Sequence, residues 1–201
     1  MKKINTGYNL IHFYEDFMSV EDCLIIKDFV LKEKINKEND INKMPWETSD
    51  TINIYKLNKD SIVLKTLIEN RKRLTNLVSD CFQEKVYPHF TDLVLWKTGR
   101  KMETHIDDGD MHEEGTELNK HFAPRHFSAV VYINDDYTGG NTYVFDGETD
   151  NFYESNPKIG AVLIFASDKR CPHGVSEIES GFRITFPSWF TKDINFKDGL
   201  D

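Results

Sequence analysis

The sequence predicts an α+β chain that is mainly β, and two observations carry that expectation. Up to about residue 89, two long stretches place apolar residues at helical spacing. From residue 90 the chain breaks into short runs rich in β-branched and aromatic residues, separated by turn signals such as Thr138-Gly-Gly, Asp146-Gly-Glu and Glu179-Ser-Gly. Many short strands joined by glycine turns make a sandwich or barrel. Two helices ahead of such strands are expected to pack on one face of a sheet.

In chain order, residues 10–14 (Leu-Ile-His-Phe-Tyr) read as a strand. Ser19-Val-Glu-Asp22 then resembles a capping box with Asp22 in place of Glu or Gln, so a helix is expected to about Lys34, with Val20, Leu24, Phe29 and Val30 among its inward residues. Residues 36–50 are polar and read as a long loop anchored by Trp46. Ile52 to Tyr55 alternates like a strand. Residues 60–85 carry Leu67, Leu74, Leu77, Val78, Cys81 and Phe82 at helical spacing, which predicts a second, longer helix. Strands are then expected at 90–96, 127–134, 141–145, 161–165, 173–178 and 182–190. Residues 108–125 interrupt this series without a clear period. A stretch of that length is expected to be a functional lid, the alternative being a solvated excursion. No repeat or linker divides the chain, so one domain over 1–201 is expected, with helical support over about 1–89 and the core over about 90–192.

With 201 residues, 39% hydrophobic and 29% charged, the composition is globular. The formal net charge of −9 argues against nucleic acid and acidic membrane as partners and favours a neutral or basic one. The N-terminus shows no apolar run of signal-peptide length, and no stretch approaches the roughly 20 apolar residues of a membrane span. Cys23, Cys81 and Cys171 are odd in number and lack metal-pair spacing. A reduced, cytoplasmic setting is the expectation.

The chemistry-bearing residues cluster in the β-rich half. His105-Ile-Asp107 followed by a distant His173 has the make-up of a two-histidine, one-carboxylate triad, which leaves open positions on Fe(II) and suits an oxygenase. Residues i and i+2 of a strand share a face, so His105 and Asp107 reach one ion if the strand breaks near residue 105. A His-x-Asp pair alone is common in solvated turns; its weight comes from His173 and Arg183 at the far end of the β region. Arg183 lies between apolar residues in Phe-Arg-Ile-Thr-Phe, and a buried guanidinium needs a partner, such as a ligand carboxylate. His12 and His89 read as packed or surface residues, His112, His121 and His126 as flanks of the insertion, Cys171 as a small buried side chain, and Gly139-Gly140 as a turn or bulge.

Five stretches together resemble the prolyl 4-hydroxylase-like branch of the 2-oxoglutarate- and Fe(II)-dependent dioxygenases. They are 13–23 (opening strand and helix), 96–107 (approach to the first ligands), 127–134 with 139–145 (central strands), 158–165 (the strand before the distal histidine) and 173–183. The resemblance implies a double-stranded β-helix (jelly-roll) core supported by N-terminal helices. It implies Fe(II) on His105, Asp107 and His173, and 2-oxoglutarate chelating the iron with its far carboxylate on Arg183. Tyr132 and Thr142 match positions whose hydroxyls reach that carboxylate. Trp96 stands where many members have a Tyr, and an indole N–H donates but does not accept. Asn141 stands where the family often has Glu.

The expected activity is hydroxylation of a C–H bond, first of all in peptidyl proline (procollagen-proline 4-dioxygenase-like), with O2 as oxidant, ascorbate as reductant, and succinate and CO2 as products. Asp107 argues against halogenation, which needs a smaller residue there. Trp46 and the acidic run Asp108, Asp110, Glu113, Glu114 and Glu117 would favour a basic or proline-containing peptide. Two further readings stay open: a hydroxylase of a free amino acid or other small molecule, and a metal-binding jelly roll that recognises a partner without turnover.

Overall fold

The computed structural model describes residues 1–34, 43, 45, 50–149 and 151–200. Trp46 and most of the loop expected over 36–50 lie outside them. Thirteen strands and three α-helices follow one another among the described residues. They are β1 (Lys2–Ile4), β2 (Ile11–Glu15), α1 (Val20–Lys34), β3 (Thr51–Asn53), α2 (Ile62–Phe82), β4 (Tyr87–Lys97), β5 (Met102–His105) and α3 (Glu117–Phe122). β6 (Phe127–Tyr132), β7 (Thr138–Gly139), β8 (Thr142–Phe145), β9 (Phe152–Glu154), β10 (Val162–Ala166), β11 (His173–Val175), β12 (Ile178–Ser180) and β13 (Phe182–Thr191) complete the order. A seven-stranded sheet runs β1-β2-β10-β6-β13-β4-β3, a four-stranded sheet runs β5-β11-β8-β9, and β12 pairs with β7. Every pairing is antiparallel. The expected mainly-β core with N-terminal helices is the observed architecture.

Period-2 alternation gives the large sheet two apolar faces. Leu93, Leu95, Val131, Val162, Ile164, Ile184 and Phe186 pack with Ile26, Val30, Leu67, Leu74 and Val78 of the two long helices. On the opposite face, Ile11, Phe13, Tyr132, Leu163 and Phe165 pack with Val144 of β8, and Val94 and Trp96 pack with Val175 and Ile178. That second face is the interior of the jelly roll, and it carries Arg183 and Thr185. A one-residue slip of β13 would turn Arg183 into the helix layer and Ile184 into the interior.

The helices keep the register of this support. Ser61 caps α2 by accepting from the Leu64 amide, and Gln83 ends it in the left-handed conformation. Leu67 and Leu74 are fully buried, and each is worth about 2–3 kcal/mol of transfer free energy. Arg71, on the same helix, is buried and ion-pairs with Asp198. It also donates to Thr91 Oγ1 at 3.0 Å and to the Leu200 carbonyl at 2.7 Å, which ties the C-terminal segment to the helix and to β4.

Two expectations are corrected and a third is extended. Val20 and Leu24 are more than half exposed, and α1 buries Cys23 and Ile26 in their place, while Val30 is buried as expected and Phe29 is half-buried. The strand expected over 52–55 is β3 over Thr51–Asn53 followed by a single 3-10 turn, because Asn53 accepts from the Tyr55 amide and bends the chain. The insertion over 108–125, where no clear period was read, holds a 3-10 turn at Gly109–Met111 and the six-residue α3. Thr116 caps α3, and Asn119 Nδ2 donates to the Gly109 carbonyl at 2.9 Å, folding the insertion on itself.

Candidate metal centre

β5 ends at His105, and β11 begins at His173. The ladder between these strands sets His173 directly opposite His105. Asp107 follows the end of β5, where its amide donates to the Ser167 carbonyl at 2.8 Å, and this carries its carboxylate back over the two imidazoles. His173 Nε2 lies 3.3 Å from one Asp107 oxygen and His105 Nε2 lies 3.6 Å from the other. Among the described residues these three form the one group whose ligand atoms all fall within 4.8 Å of one another. Bonds of about 2.1 Å place neighbouring ligand atoms about 3 Å apart, so the spacing fits one divalent cation.

Hydrogen bonds to the backbone orient both rings. His105 Nδ1 faces the Glu103 carbonyl at 2.9 Å and His173 Nδ1 faces the Cys171 carbonyl at 3.2 Å. A proton on each Nδ1 leaves each Nε2 lone pair aimed at the ion. Ser128 donates to Asp107 Oδ2 at 2.6 Å and contacts Ser167 Oγ at 2.8 Å, which fixes the carboxylate plane. Burial alone would raise the Asp107 carboxyl, but the imidazoles of His173 and His105 hold it well below the usual carboxylate range. The aspartate is thus an anionic ligand at neutral pH.

A second cluster occupies the interior around Arg183, which is 2% exposed. Its Nη2 donates to Thr142 Oγ1 at 2.8 Å, and the Tyr132 hydroxyl donates to the same oxygen at 2.8 Å. The guanidinium carbon lies 5.3 Å from the Tyr132 ring centroid and 5.5 Å from that of Trp96. Arg183 Nε and Trp96 Nε1 are buried without a hydrogen-bond partner, and the buried Tyr137 hydroxyl lies beside the Arg183 guanidinium. Burial pushes the Tyr137 phenol up to about 12 against the pull of Arg183, so it remains a neutral donor. Each unmet buried donor costs about 1–3 kcal/mol. A carboxylate offers about four lone-pair sites and no donors, so it suits this set. Gly140, at φ +65°, allows the fit: a Cβ there would stand 3.1 Å from Arg183 Cδ and 3.4 Å from the Tyr137 ring.

The mouth of the sandwich holds a third group. Arg125, 5% exposed, lies with its guanidinium carbon 3.9 Å from the Phe122 ring centroid and 4.3 Å from that of Trp189. Its Nε, Trp189 Nε1 and Asp92 Oδ1 are buried and unpartnered. Burial lowers Arg125 to about 10, and both Asp107 and Asp92 counteract this, so the arginine sits electrostatically between the metal cluster and Asp92.

The structure therefore brings His105, Asp107 and His173 together at one point, and Arg183, Tyr132, Thr142 and Trp96 at another. Asn141 does not join the second group; its side chain donates to Glu154 at 3.1 Å. His112, His121 and His126 stay outside the ligand set, and Cys171 is buried, its thiol pushed up to about 11 by burial. Tyr137, Arg125, Trp189 and Asp92 were missing from the sequence reading, which took Gly140 for part of a turn or bulge. Trp189 and Asp92 had a signal: each stands an even number of residues from Arg183 or Trp96 on the same strand, and so on the same face. Arg125 and Tyr137 arrive from irregular segments, where no periodicity points at them.

A family profile, the 2OG-Fe(II) oxygenase superfamily, matches residues 89–191. Prolyl 3-hydroxylase 1 of Gallus gallus is 32% identical over 96 residues, 45% of this chain and 13% of that protein. The chain thus spans only about an eighth of the curated relatives' length. A Pseudomonas putida prolyl-4-hydroxylase aligns at TM-score 0.66 with 14% identity, covering 94% of this chain and 96% of the other. A prolyl hydroxylase from Trichoplax adhaerens, in complex with a hypoxia inducible factor oxygen degradation domain peptide fragment, aligns at TM-score 0.62 with 15% identity, covering 94% and 86%. At such identities the solved structures speak to the fold.

Proposed function

The chain belongs to the 2OG-Fe(II) oxygenase superfamily, and on that premise we propose that it hydroxylates a C–H bond of peptidyl proline. The family implies Fe(II), 2-oxoglutarate and O2; together these supply oxidative decarboxylation to succinate and CO2, coupled to transfer of one oxygen atom into the substrate C–H bond. Ascorbate is the proposed reductant and the cytoplasm the proposed setting.

One observation carries the reading. A three-ligand cluster, a donor-lined pocket fit for a carboxylate and a donor-lined mouth share one interior. His105, Asp107 and His173 would hold the iron from one side. Arg183, with Thr142, Tyr132, Trp96 and Tyr137 around it, would bind the far carboxylate of 2-oxoglutarate and fix its orientation. Val144, Leu163 and Phe165 exclude water from the interior between the sheets, which strengthens every charge contact within it. Arg125 and Trp189 present N–H donors at the mouth. A peptide carbonyl beside the target proline is the acceptor they suit, since a proline-containing segment has carbonyls to offer and few amides. No protein base is needed, because hydroxylation removes no proton to a side chain. The acidic residues Asp108, Asp110, Glu113, Glu114 and Glu117 lie on or beside the inserted turn and α3, and would favour a basic segment.

The relatives divide on the ring position. Those matched in sequence are named prolyl 3-hydroxylases, while the Pseudomonas structure is a prolyl-4-hydroxylase.

The test is succinate formation from 2-oxoglutarate with Fe(II) and ascorbate, with and without a proline-rich peptide, and mass analysis of the peptide for 3- or 4-hydroxyproline. Peptide-stimulated turnover that is lost in His173→Ala is the expected result. Turnover stimulated by free proline and by no peptide would overturn the peptidyl reading. Iron bound without any turnover would leave a recognition module.

A further inference from the structure

Asp92 is a carboxylic acid where the mouth of a jelly roll would ordinarily be apolar. Thr91 faces the helix layer, since its hydroxyl accepts from Arg71 and donates to Ser188. Strand alternation therefore turns Asp92 to the interior, on the face that holds Val94 and Trp96. Its Oδ1 is buried with no partner, and it makes no ion pair with Arg125 although that guanidinium is near enough to act on it. Arg125 Nε and Trp189 Nε1, in the same mouth, are also unpartnered. Three unused polar groups, two donors and one acceptor, are costly to bury unless a ligand completes them.

We propose that Asp92 is a specificity-determining residue of the substrate mouth: its carboxylate accepts a hydrogen bond from an N–H of the bound peptide, while Arg125 and Trp189 donate to a peptide carbonyl. This rests on the peptidyl hydroxylase reading. A proline ring nitrogen carries no hydrogen within a peptide, so the N–H comes from a neighbouring residue, either its backbone amide or a lysine or arginine side chain.

The acid–base surroundings follow from the packing. Arg125 is the charged group whose field reaches Asp92, and its field reaches Asp107 as well. Asn53, across the β3–β4 ladder, and Phe90 and Trp189, stacked beside the mouth, carry no charge. His121 stands 6.3 Å from the Phe90 ring centroid, and His89 faces His121 at 5.9 Å. Burial holds the free Asp92 carboxyl up to about 7. The ionised form accepts the stronger, charge-assisted hydrogen bond, so peptide affinity should rise as pH rises through that value.

The experiment measures peptide binding to the anaerobic Fe(II)- and 2-oxoglutarate-loaded enzyme by titration at pH 6 and pH 8, for wild type and Asp92→Asn. The wild type is expected to bind several-fold more tightly at pH 8. Asp92→Asn is expected to lose this pH dependence and to bind about tenfold more weakly at pH 8, the size of one charge-assisted hydrogen bond. Two altered peptides, one N-methylated beside the proline and one with norleucine for lysine, identify the donor, because the one that carries it loses the pH effect on the wild type. They also test the idea without any variant, should Asp92→Asn not fold. Equal affinity and equal pH profiles in the two proteins would overturn the inference while leaving the hydroxylase intact, as would wild-type affinity that falls with pH. Failure of every proline peptide to bind the wild type would overturn the hydroxylase reading and this inference together.

Discussion

Gly140→Ala should damage co-substrate binding without touching the iron ligands. The added Cβ would stand 3.0 Å from Ile178 Cγ1 and 3.1 Å from Arg183 Cδ, both tighter than ordinary contact. Ile178 is fully buried at β12, so the softer neighbour is the Arg183 side chain. A shift of a few tenths of an ångström there swings the guanidinium about its bond to Thr142 Oγ1. Losing one of the two bonds that Arg183 would make to a carboxylate costs about 1.5–3 kcal/mol. That is roughly ten- to a hundredfold in 2-oxoglutarate affinity. Alanine at φ +65° adds about 1 kcal/mol of strain to the fold. The assay pairs the KM for 2-oxoglutarate, from succinate release at saturating iron, with direct metal titration. A raised KM with unchanged metal affinity and a melting temperature lower by a few degrees is the expected result. An unchanged KM, or equal losses of metal and 2-oxoglutarate binding, would refute the argument that Gly140 clears space for Arg183.

Other consequences can be measured alongside. The Asp92 carboxyl is raised from its ordinary 3.8 to about 7 by burial, so the folded chain holds a proton that the unfolded chain has released. Stability should therefore fall as pH rises between about 4 and 7 and level off above. In urea titrations Asp92→Asn should exceed wild type at pH 8, by at most about 4 kcal/mol, and match it near pH 4. Asp198→Ala strands the buried Arg71 guanidinium and removes the acceptor of the Tyr55 hydroxyl, which should cost about 3 kcal/mol in denaturant titration. Adding Arg71→Met should recover much of that loss. A chelator should lower the melting temperature of the iron-loaded wild type by several degrees, as expected for loss of about 2.7 kcal/mol at a hundredfold excess over Kd. It should leave His173→Ala unmoved.

Much of this molecule was legible in its sequence, for reasons that differ by region. β10 and β13 were readable because their alternation is strict and both faces are apolar, so Leu163 and Ile164 announce a strand whichever layer each serves. Arg183 stood out because a charge between Phe182 and Ile184 has few acceptable fates. α1 was misread at Val20 and Leu24 because apolar identity was taken for burial, whereas its inward face runs through Cys23, Ile26 and Val30. α3 was missed because six residues complete fewer than two turns, too few to show a period. Arg125 and Tyr137 were missed because their positions depend on how irregular segments fold over the sheet edges. Such information lies in tertiary contact, and no local pattern encodes it.

The direct pairing of His173 with His105 bears on the order of folding. These residues are far apart in the chain, and β6, β8 and β10 lie between β5 and β11 in sequence. Closing that long loop is slow relative to forming α1 or α2, as pairings of high sequence separation generally are. One of the three ligands is therefore out of place until the small sheet closes. A nascent or partly folded chain has only His105 and Asp107 to offer a metal, and that pair alone grips weakly. The three-ligand cluster thus exists only in chains that have completed this pairing.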